Sequence, residues 1–406
     1  MRMLHLVHRS WPYHGGAERY VLEHALASRR WGHESTVLTT DAWDMSWMVS
    51  RRGRHLEPGR LVHRGVEIIR FGVSHPPLQN LLRGLLIRLA PGGPDRYCYP
   101  NPFLPSMARW LRRSRGWGFV HANALPSLLY MGWRHARREG AGMAAVPHAN
   151  VGEPHRRTQA VRYFDGAAGK VLRDSSFVVA QSSFEAGIYR DMGVPDERVL
   201  VLGSGIDPDE LRGAEPARES LGLSGEVVLG LTAHCRDKGS VDLLAASREL
   251  WRRGSGHTLV LAGPIMPDME EELADVAGEL PPGRLVVTGY LDREDRLAWL
   301  ASCDVLALPS RLDCFGIVLL EAWFMGKPVV GCYSGAMPDL VRDGSRGFVV
   351  PFGDRRTLAH RLGVLLRSPG LRRGMGERGR RMVMSGFTWR AVTDRFYSRL
   401  AECGQP

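Results

Sequence analysis

The sequence lacks several features that would place it in a common class of protein. Its 406 residues contain six cysteines, and no two of them form a Cys-x-x-C pair, which argues against a zinc ribbon or a thioredoxin-type site. No apolar run approaches the roughly 20 residues that span a bilayer. The start, MRMLHLVH, has no apolar stretch followed by a cleavage site, so no signal peptide is indicated and a cytoplasmic location is expected.

Lysine is scarce, and the positive charge is unevenly distributed. Only 3 of the 54 basic side chains are lysines, which leaves 51 arginines. The first 200 residues hold 28 basic and 16 acidic side chains, whereas the remaining residues hold 26 and 27, so the first half carries +12 of the net +11 and the second half −1. A basic half attracts phosphates, acidic acceptors or an anionic membrane surface. It contains few interleaved aromatics and no nucleic-acid-binding motif, so no nucleic-acid partner is expected.

Several catalytic motifs are also missing. The sequence has no G-x-S-x-G elbow, no Walker loop and no defensible Ser/His/Asp arrangement. The strand-end histidines His121 and His148 lack metal-ligand spacing to a carboxylate, so no metal site is predicted. The triplet Asp207-Pro208-Asp209 follows a Gly turn and precedes a helix, which is typical of helix capping rather than of a metal site.

What is present is an alternation of short apolar strands and amphipathic helices. This pattern predicts an α/β protein with doubly wound parallel sheets. The chain is too long for one ordinary core, which favours two Rossmann-like domains. The predicted strands are 3–8, 35–40, 66–71, 119–122, 143–147, 177–180, 227–231, 258–262, 285–288, 305–308, 328–331 and 347–350.

The predicted domains are residues 1–200 and 201–385, with 386–406 as a terminal helix that packs back toward the first domain. Two such sheets facing each other leave a cleft at the carboxyl ends of their strands, where open α/β sheets bind ligands. No feature of the sequence indicates an oligomeric state.

The most informative segment is LPSRLDCFGIVLLEAWFMGKPVVG, residues 308–331. It predicts a strand, a tight turn formed by Asp313, Cys314, Phe315 and Gly316, and then a helix. The helix N-terminus suits a sugar diphosphate, because its free N–H groups attract anions. Asp313 can bind sugar hydroxyls, and Glu321, two turns along the helix, can accept hydrogen bonds from a ribose diol. Taken singly, Asp313 could be a helix cap and Glu321 a surface acid.

As a whole, this segment resembles the donor-site signature of glycosyltransferase family 4, and the resemblance extends over nearly the whole chain. It implies the GT-B fold and a bacterial-type, metal-independent hexosyltransferase that retains anomeric configuration. The implied co-substrate is a UDP- or GDP-sugar, and no cofactor is implied. Asp313 stands where the family usually has Glu.

Other segments carry the same resemblance. Gly15 and Gly16 match the family's loop near the donor phosphates, and His148 in VPHAN matches an interdomain histidine that contacts the donor sugar. In GLTAHCRDKGS, Lys238 matches the diphosphate clamp, whereas the expected arginine is replaced by Ala233; Arg236 is a candidate substitute. The catalytic candidates are thus His148, Lys238 and Asp313.

Two further segments border the expected donor site. Gly289 and Tyr290 match a loop that lines the nucleotide base, where Tyr290 either stacks on the base or packs against the protein. Asp339 replaces a usual Glu and is expected to be a structural cap.

The implied reaction cleaves a sugar–phosphate bond, with charge building on the leaving diphosphate. The resemblance implies that this phosphate takes the acceptor proton, so no enzymic base is assigned. The expected acceptor is a small molecule of natural-product or thiol biosynthesis. Alternatives are a membrane lipid or envelope glycan, reached through the basic segments 81–90 and 106–117, an epimerase or phosphorylase, and a degenerate donor-binding partner protein.

Overall fold

The computed structural model describes residues 1–13, 15–76, 102–124, 127–149 and 167–404. They form two compact units. The first unit takes in the described parts of 1–149 and 167–203 together with 392–404, and the second unit is 204–391. The basic segment 81–90 and His14 of the Gly-rich turn lie outside the described residues.

The first unit is built on a sheet of eight described strands. They are β1 (Arg2–Leu6), β2 (Glu34–Thr40), β3 (Gly59–His63), β4 (Val66–Phe71), β5 (Phe119–Asn123), β6 (Gly142–Val146), β7 (Phe177–Ala180) and β8 (Val199–Val201). Their order is β3-β4-β2-β1-β5-β6-β7-β8. All neighbours are parallel except β3, which pairs antiparallel with β4. The strand order reverses at β1, so ligands are expected beyond its carboxyl end.

The helices of the first unit connect these strands. They are α1 (Gly16–Ala27), α2 (Met45–Val49), α3 (Pro105–Arg113), α4 (Ser127–Glu139), α5 (Ala167–Asp174) and α6 (Ser183–Asp191). Strands β5, β6 and β7 are buried along their whole length. Burial on both faces of a parallel sheet explains why they appear in the sequence as continuous apolar runs.

The second unit contains six described strands, all parallel. They are β9 (Val227–Leu231), β10 (Thr258–Ala262), β11 (Leu285–Gly289), β12 (Val305–Leu308), β13 (Val329–Cys332) and β14 (Gly347–Val350), in the order β11-β10-β9-β12-β13-β14. The order reverses between β9 and β12, which places a second switch point at their carboxyl ends. Side chains of β9 alternate between the two cores that cover the faces of the sheet: Val227 and Leu229 lie in one, Val228 in the other.

The helices that follow in chain order are α7 (Pro208–Leu211), α8 (Ser240–Arg252), α9 (Pro267–Val276), α10 (Arg293–Ser302), α11 (Ile317–Phe324), α12 (Met337–Val341), α13 (Arg355–Arg367), α14 (Pro369–Gly386) and α15 (Trp389–Glu402). Helix α15 begins in the second unit and runs into the first, where Phe396 and Tyr397 are buried.

The predicted fold class of two parallel α/β sheets is confirmed. The predicted strands 258–262, 305–308 and 347–350 match β10, β12 and β14 to the residue. Strand β3 was not predicted. Its side chains are exposed or half-buried, so it lacks the apolar signal of a buried strand.

Candidate functional site

Three loops meet at the carboxyl ends of β9, β12 and β13 in the second unit. A Cβ on Gly239 would lie 2.1 Å from the carbonyl oxygen of Pro309, and one on Gly335 would lie 2.1 Å from that of Asp313. Both glycines have left-handed backbone angles, with φ of 71° and 54°. Only glycine fits such a close approach and such a conformation, so the loops are locked together by backbone contact.

Hydrogen bonds connect the same loops. The Ser334 hydroxyl donates to the Arg311 carbonyl at 2.6 Å, and the Arg311 N–H donates to the Asp237 carbonyl at 3.1 Å. The Arg311 guanidinium also binds the Asp237 carboxylate, at 2.9 Å and 2.5 Å. These contacts fix the loop of the predicted clamp against the loop of the predicted acidic turn.

Lys238 and Asp313 are brought together by this arrangement. The Lys238 ammonium donates to the Leu312 carbonyl at 2.8 Å and to Asp313 Oδ2 at 3.1 Å. The side chains of Lys238 and Asp313 are 28% and 19% exposed. Because an ammonium has three N–H groups, a tethered but accessible cation of this kind retains donor capacity for an anion.

The turn after Asp313 leads into the N-terminus of α11. Gly316 precedes the helix in a left-handed conformation and provides no side-chain cap. The first-turn N–H groups are therefore not satisfied by a capping side chain, which suits an anion. Phe315 is buried and packs on Phe387, so only its backbone faces the turn, and Cys314 is half-buried.

Glu321 lies in the middle of α11 and is nearly withdrawn from water, with 5% of its surface exposed. Its Oε2 accepts a hydrogen bond at 2.5 Å from Nη1 of Arg296 on α10. The sequence analysis did not single out Arg296, since an arginine in the run DREDR resembles an ordinary surface residue.

The candidate clamp residue Arg236 faces helix α9. Its guanidinium lies 3.7 Å from the carboxylate of Glu272, and its backbone N–H donates to Asp268 at 2.8 Å. Ala233, where the family arginine is expected, is exposed. Arg236 is thus placed beside α9, and the Lys238–Asp313 pair is held by other contacts.

His234 braces the loop that carries Lys238 and was also missed. Its Nε2–H donates to the Ala262 carbonyl at 3.2 Å, and its Nδ1 accepts from the Ser240 hydroxyl at 2.9 Å. Burial lowers the pKa of His234 to about 4, so the ring is neutral near pH 7. Its only sequence signal is a histidine just after a buried strand.

Tyr290 projects into solvent at the end of β11, with 82% of its surface exposed. Gly289 before it has a φ of 69°, and its carbonyl accepts from the Gly263 N–H at 2.9 Å. A Cβ on Gly263 would lie 2.1 Å from the Thr232 carbonyl, so this loop adjoins the end of β9. Tyr290 is therefore available for stacking. Asp339 is exposed at the start of α12.

In the first unit, Gly15 and Gly16 begin α1 just beyond β1. A Cβ on Gly15 would lie 2.1 Å from a carboxylate oxygen of Glu18 and 2.8 Å from the Tyr13 ring. Glu18 is held by Arg9 at 2.9 Å, and the Arg9 guanidinium lies 3.8 Å from the centre of the Tyr13 ring. The turn at the switch point of this sheet therefore has no room for a side chain at residue 15.

His148 lies beyond β6 with a φ of 50°, an uncommon conformation for a residue other than glycine. Its Nε2 contacts Oδ1 of Asn123 at 3.1 Å, while Nδ2 of Asn123 donates to the His121 carbonyl at 3.3 Å. This amide orientation requires Nε2 of His148 to be the donor and leaves its Nδ1 as an acceptor. Burial, assisted by the charge of His8, lowers the pKa of His148 to about 4.

The loop after His148 is held by a buried acid. Oε1 of Glu185 accepts from the Ala149 N–H at 3.2 Å, and Oε2 accepts from the Gln181 N–H at 2.5 Å. The Tyr189 hydroxyl also donates to Glu185. Burial raises the pKa of Glu185 to about 7, against these hydrogen bonds, which lower it.

Beneath this loop lies a histidine cluster composed of His5, His24, His121 and His148, all fully buried or nearly so. Nδ1 of His5 contacts Nδ1 of His121 at 3.0 Å, and Nε2 of His5 contacts the Ser35 hydroxyl at 2.8 Å. Neither ring nitrogen of His24 has a hydrogen-bond partner among the described residues. His121 of the VHAN segment is thus part of the core.

Within the described ranges, no group of three His, Cys, Asp or Glu side chains has an arrangement that could hold a metal ion.

No helix in the described part of the chain is both long enough and apolar enough to cross a membrane.

Comparison with family models assigns both units. Residues 15–205 match the glycosyl transferase 4-like domain, and residues 226–368 match the glycosyl transferases of group 1. Together these two matches leave only the first 14 residues, a short connection and the last 38 residues outside them.

Two curated relatives illustrate the similarity. The chain is 28% identical over 360 residues to D-inositol 3-phosphate glycosyltransferase of Nocardia farcinica, which covers 81% of this chain and 79% of the relative. It is 31% identical over 224 residues to alpha-D-kanosaminyltransferase of Streptomyces kanamyceticus, covering 53% of this chain and 57% of the relative.

Among solved structures, the Anabaena protein HepE in complex with UDP and glucose has a TM-score of 0.71 at 18% identity, covering 99% of this chain and all of that one. Sucrose-phosphate synthase of Thermosynechococcus elongatus has a TM-score of 0.73 at 18% identity, with 99% and 98% covered. These likenesses establish the fold, which is GT-B.

Proposed function

The chain belongs to the group 1, family 4-like glycosyltransferases, and on this premise we propose that it transfers a hexose from a UDP- or GDP-sugar to a small polyhydroxylated acceptor with retention of configuration. The observation that carries the proposal is the Lys238–Asp313 pair beside the uncapped start of α11. We assign donor binding to the second unit and acceptor binding to the first.

In this mechanism, negative charge builds on the leaving diphosphate as the bond to the sugar breaks. The ammonium of Lys238 and the N–H groups at the start of α11 are placed to stabilise that charge without moving far. The loops that carry them are locked by the backbone contacts at Gly239 and Gly335, which is the preorganisation that such stabilisation requires. These groups supply positive charge without a metal ion.

Asp313 and Glu321 are assigned to the hydroxyl groups of the donor. Each carboxylate has one oxygen held by a cation of the protein, Oδ2 by Lys238 and Oε2 by Arg296. The other oxygen of each remains able to accept, from the sugar in the case of Asp313 and from the ribose diol in the case of Glu321. Cys314, Phe315 and Gly316 contribute backbone to the same turn.

We assign His148 a hydrogen-bonding role toward the donor sugar, following the family pattern. Its low pKa keeps the ring neutral at pH 7, so it serves as neither a cation nor a strong base. Retention without an enzymic base follows if the leaving phosphate takes the acceptor proton on the same face of the sugar.

The names of the relatives support a small acceptor. One acts on D-inositol 3-phosphate, and another transfers kanosamine. Inositol and aminocyclitol rings share several hydroxyl groups, and an anionic acceptor would be attracted by the basic first half of the chain.

The alternative of a membrane-bound acceptor finds less support in helix α3. Its apolar residues Met107 and Leu111 are buried in their own unit, and its exposed residues include Arg109 and Arg112. Without an exposed apolar face the helix offers a membrane charge alone, which favours a small acceptor over a lipid.

The test combines binding with turnover. Thermal unfolding with UDP and GDP should show stabilisation by the correct nucleotide. Incubation of the matching sugar nucleotides with inositol, inositol 3-phosphate and aminocyclitols should yield a glycoside by mass spectrometry, with its anomeric configuration retained by NMR.

Each alternative predicts a different outcome of this assay. Epimerised sugar nucleotide without acceptor, or strict dependence on inorganic phosphate, would replace transfer by an epimerase or a phosphorylase. Nucleotide binding without turnover over the whole panel would favour a donor-binding partner protein.

A further inference from the structure

Arg296 is a functional candidate that no sequence motif indicates. It lies on α10, and its guanidinium donates from Nη1 to Oε2 of Glu321 on α11 at 2.5 Å. The side chain of Glu321 is 7% exposed and that of Arg296 is 28% exposed. A carboxylate so far removed from water needs a charged partner, and Arg296 fills that need.

The contact also sets the direction of the carboxylate. Glu321 is the fifth residue of the eight-residue helix α11, where its backbone is part of the helix and only its side-chain torsions are free. With Oε2 held by a guanidinium, the rotation of the carboxylate is restricted and Oε1 keeps its capacity to accept hydrogen bonds. An arginine suits this purpose because it stays charged over the whole working range of pH.

We propose that Arg296 is a positioning residue that acts through Glu321 and gives the site its preference for ribose over deoxyribose in the nucleoside diphosphate. The proposal rests on the proposed function, in which Glu321 accepts hydrogen bonds from the ribose diol. It adds a residue from a second helix and assigns it one measurable consequence, the discrimination between nucleotides that differ by a single hydroxyl group.

A purely structural ion pair would behave differently. If Arg296 only tied α10 to α11, its loss would weaken binding of ribo- and deoxynucleotides by the same factor. If it orients Glu321, its loss lowers affinity mainly for the ribonucleotide, since the deoxynucleotide never made the full set of hydrogen bonds. The ratio of the two dissociation constants therefore separates the two roles.

The experiment is calorimetric titration of the full chain with UDP and GDP, followed by the 2′-deoxy and 3′-deoxy forms of the nucleotide that binds more tightly. The wild-type protein should prefer the ribonucleotide by about 10- to 100-fold, the scale for a hydrogen bond to a charged group. In Arg296→Met this ratio should fall below about threefold, as it should in Glu321→Gln. Arg296→Lys, which keeps the charge but not the fork geometry, should recover part of the preference.

Arg293 offers a matched control on the same helix, since it pairs with Glu210 rather than with Glu321. Arg293→Met should leave the ratio unchanged. Circular dichroism checks the fold of each variant, and Arg296→Gln carries the comparison if Arg296→Met does not fold.

Two kinds of failure can be distinguished. If the wild-type protein and Glu321→Gln behave as expected but Arg296→Met keeps the wild-type ratio, the positioning role of Arg296 is overturned while the proposed function stands. If the wild-type protein binds neither UDP nor GDP, the donor site itself is refuted. If it binds one of them without any preference for ribose, the ribose assignment of Glu321 and the role of Arg296 fail together.

Discussion

Replacement of His24 by phenylalanine should make the protein markedly more resistant to acid. His24 lies in the buried histidine cluster, 4.3 Å from the ring of Tyr20 and 4.6 Å from that of Phe396, measured between ring centroids. Burial, with smaller contributions from the charges of His5 and His148, lowers its pKa well below 6.5. A phenyl ring has a similar shape and cannot take up a proton.

The sign follows from proton binding in the two states. In the unfolded chain His24 binds a proton near pH 6.5, whereas in the folded protein it stays neutral, so the stability it permits is complete above pH 6.5 and is lost as the pH falls. For one such histidine the loss relative to pH 7.5 is about 0.8 kcal/mol at pH 6.0, about 1.4 at pH 5.5 and about 2 at pH 5.0. His5, His121 and His148 shift in the same direction. Four such groups together therefore lose roughly 5 to 6 kcal/mol by pH 5.5, comparable to the whole stability of a marginal domain.

The magnitude at neutral pH has a separate origin. Both ring nitrogens of His24 are buried without hydrogen-bond partners among the described residues. Removing unsatisfied polar atoms is worth about 1 to 3 kcal/mol, from which the strain of a slightly larger ring must be subtracted. His24→Phe should therefore be about as stable as the wild-type protein, or somewhat more stable, at pH 7.5.

The assay is urea unfolding at several pH values between 7.5 and 5.0, with the free energy of unfolding extrapolated to water. The difference between His24→Phe and the wild-type protein should grow by about 2 kcal/mol over this range. The exposed His360 provides the control, since His360→Gln should run parallel to the wild-type protein. A constant difference for His24→Phe, or an equal gain from His360→Gln, would show that the buried cluster does not control acid stability.

Three further predictions concern the two units. Lys238→Ala should lower kcat by about two orders of magnitude or more in a transfer assay, as for loss of one charge-stabilising donor, whereas Lys170→Ala should have no effect; full activity of Lys238→Ala would remove it from the clamp. Gly335→Ala should lower the free energy of unfolding by about 1 to 3 kcal/mol and weaken nucleotide binding, because its φ is 54° and its Cβ would strike a carbonyl; an unchanged melting temperature would contradict the locked-loop geometry. Glu185, whose pKa is raised to about 7, contributes stability that is complete below pH 4.5 and lost as the pH rises through 7, so the disadvantage of Glu185→Gln in urea unfolding should shrink by about 3 kcal/mol from pH 4.5 to 8, and a pH-independent difference would argue against this titration.

Most of the fold was predictable because buried parallel strands leave a strong signal. Strands β10, β12 and β14 are buried on both faces and therefore appear as short apolar runs between helices. Strand β3 carries no such signal, since it lies at the edge of the sheet with exposed side chains such as Val62. Its antiparallel pairing depends on the chain turning back at Arg64 and Gly65, both in left-handed conformations. Neither an exposed edge nor an antiparallel return changes the apolar pattern that the prediction used.

The site was predictable only where its residues are close in sequence. The spacing of Asp313 and Glu321 on one turn and helix suggested a donor site directly. Arg296 and His234 could not be found in this way, because their partners lie 25 and 28 residues away and come close only when the helices and strands pack. A buried histidine after a strand and an arginine in a charged run have no distinguishing local pattern.

The two ion pairs of the donor half have a common physical consequence. Lys238 and Arg296 each hold one oxygen of a partly or fully buried carboxylate, which without a cation would be costly to keep charged in a site from which substrate excludes water. Each carboxylate thereby remains an acceptor for hydroxyl groups without having to be ordered when the donor binds. Lys238 has a second task, because it also donates to the Leu312 carbonyl and must face the diphosphate when the sugar leaves. The shorter side chain of Asp313 is compatible with this arrangement, because its contact with Lys238 keeps the acid and the cation at the same turn, next to the start of α11.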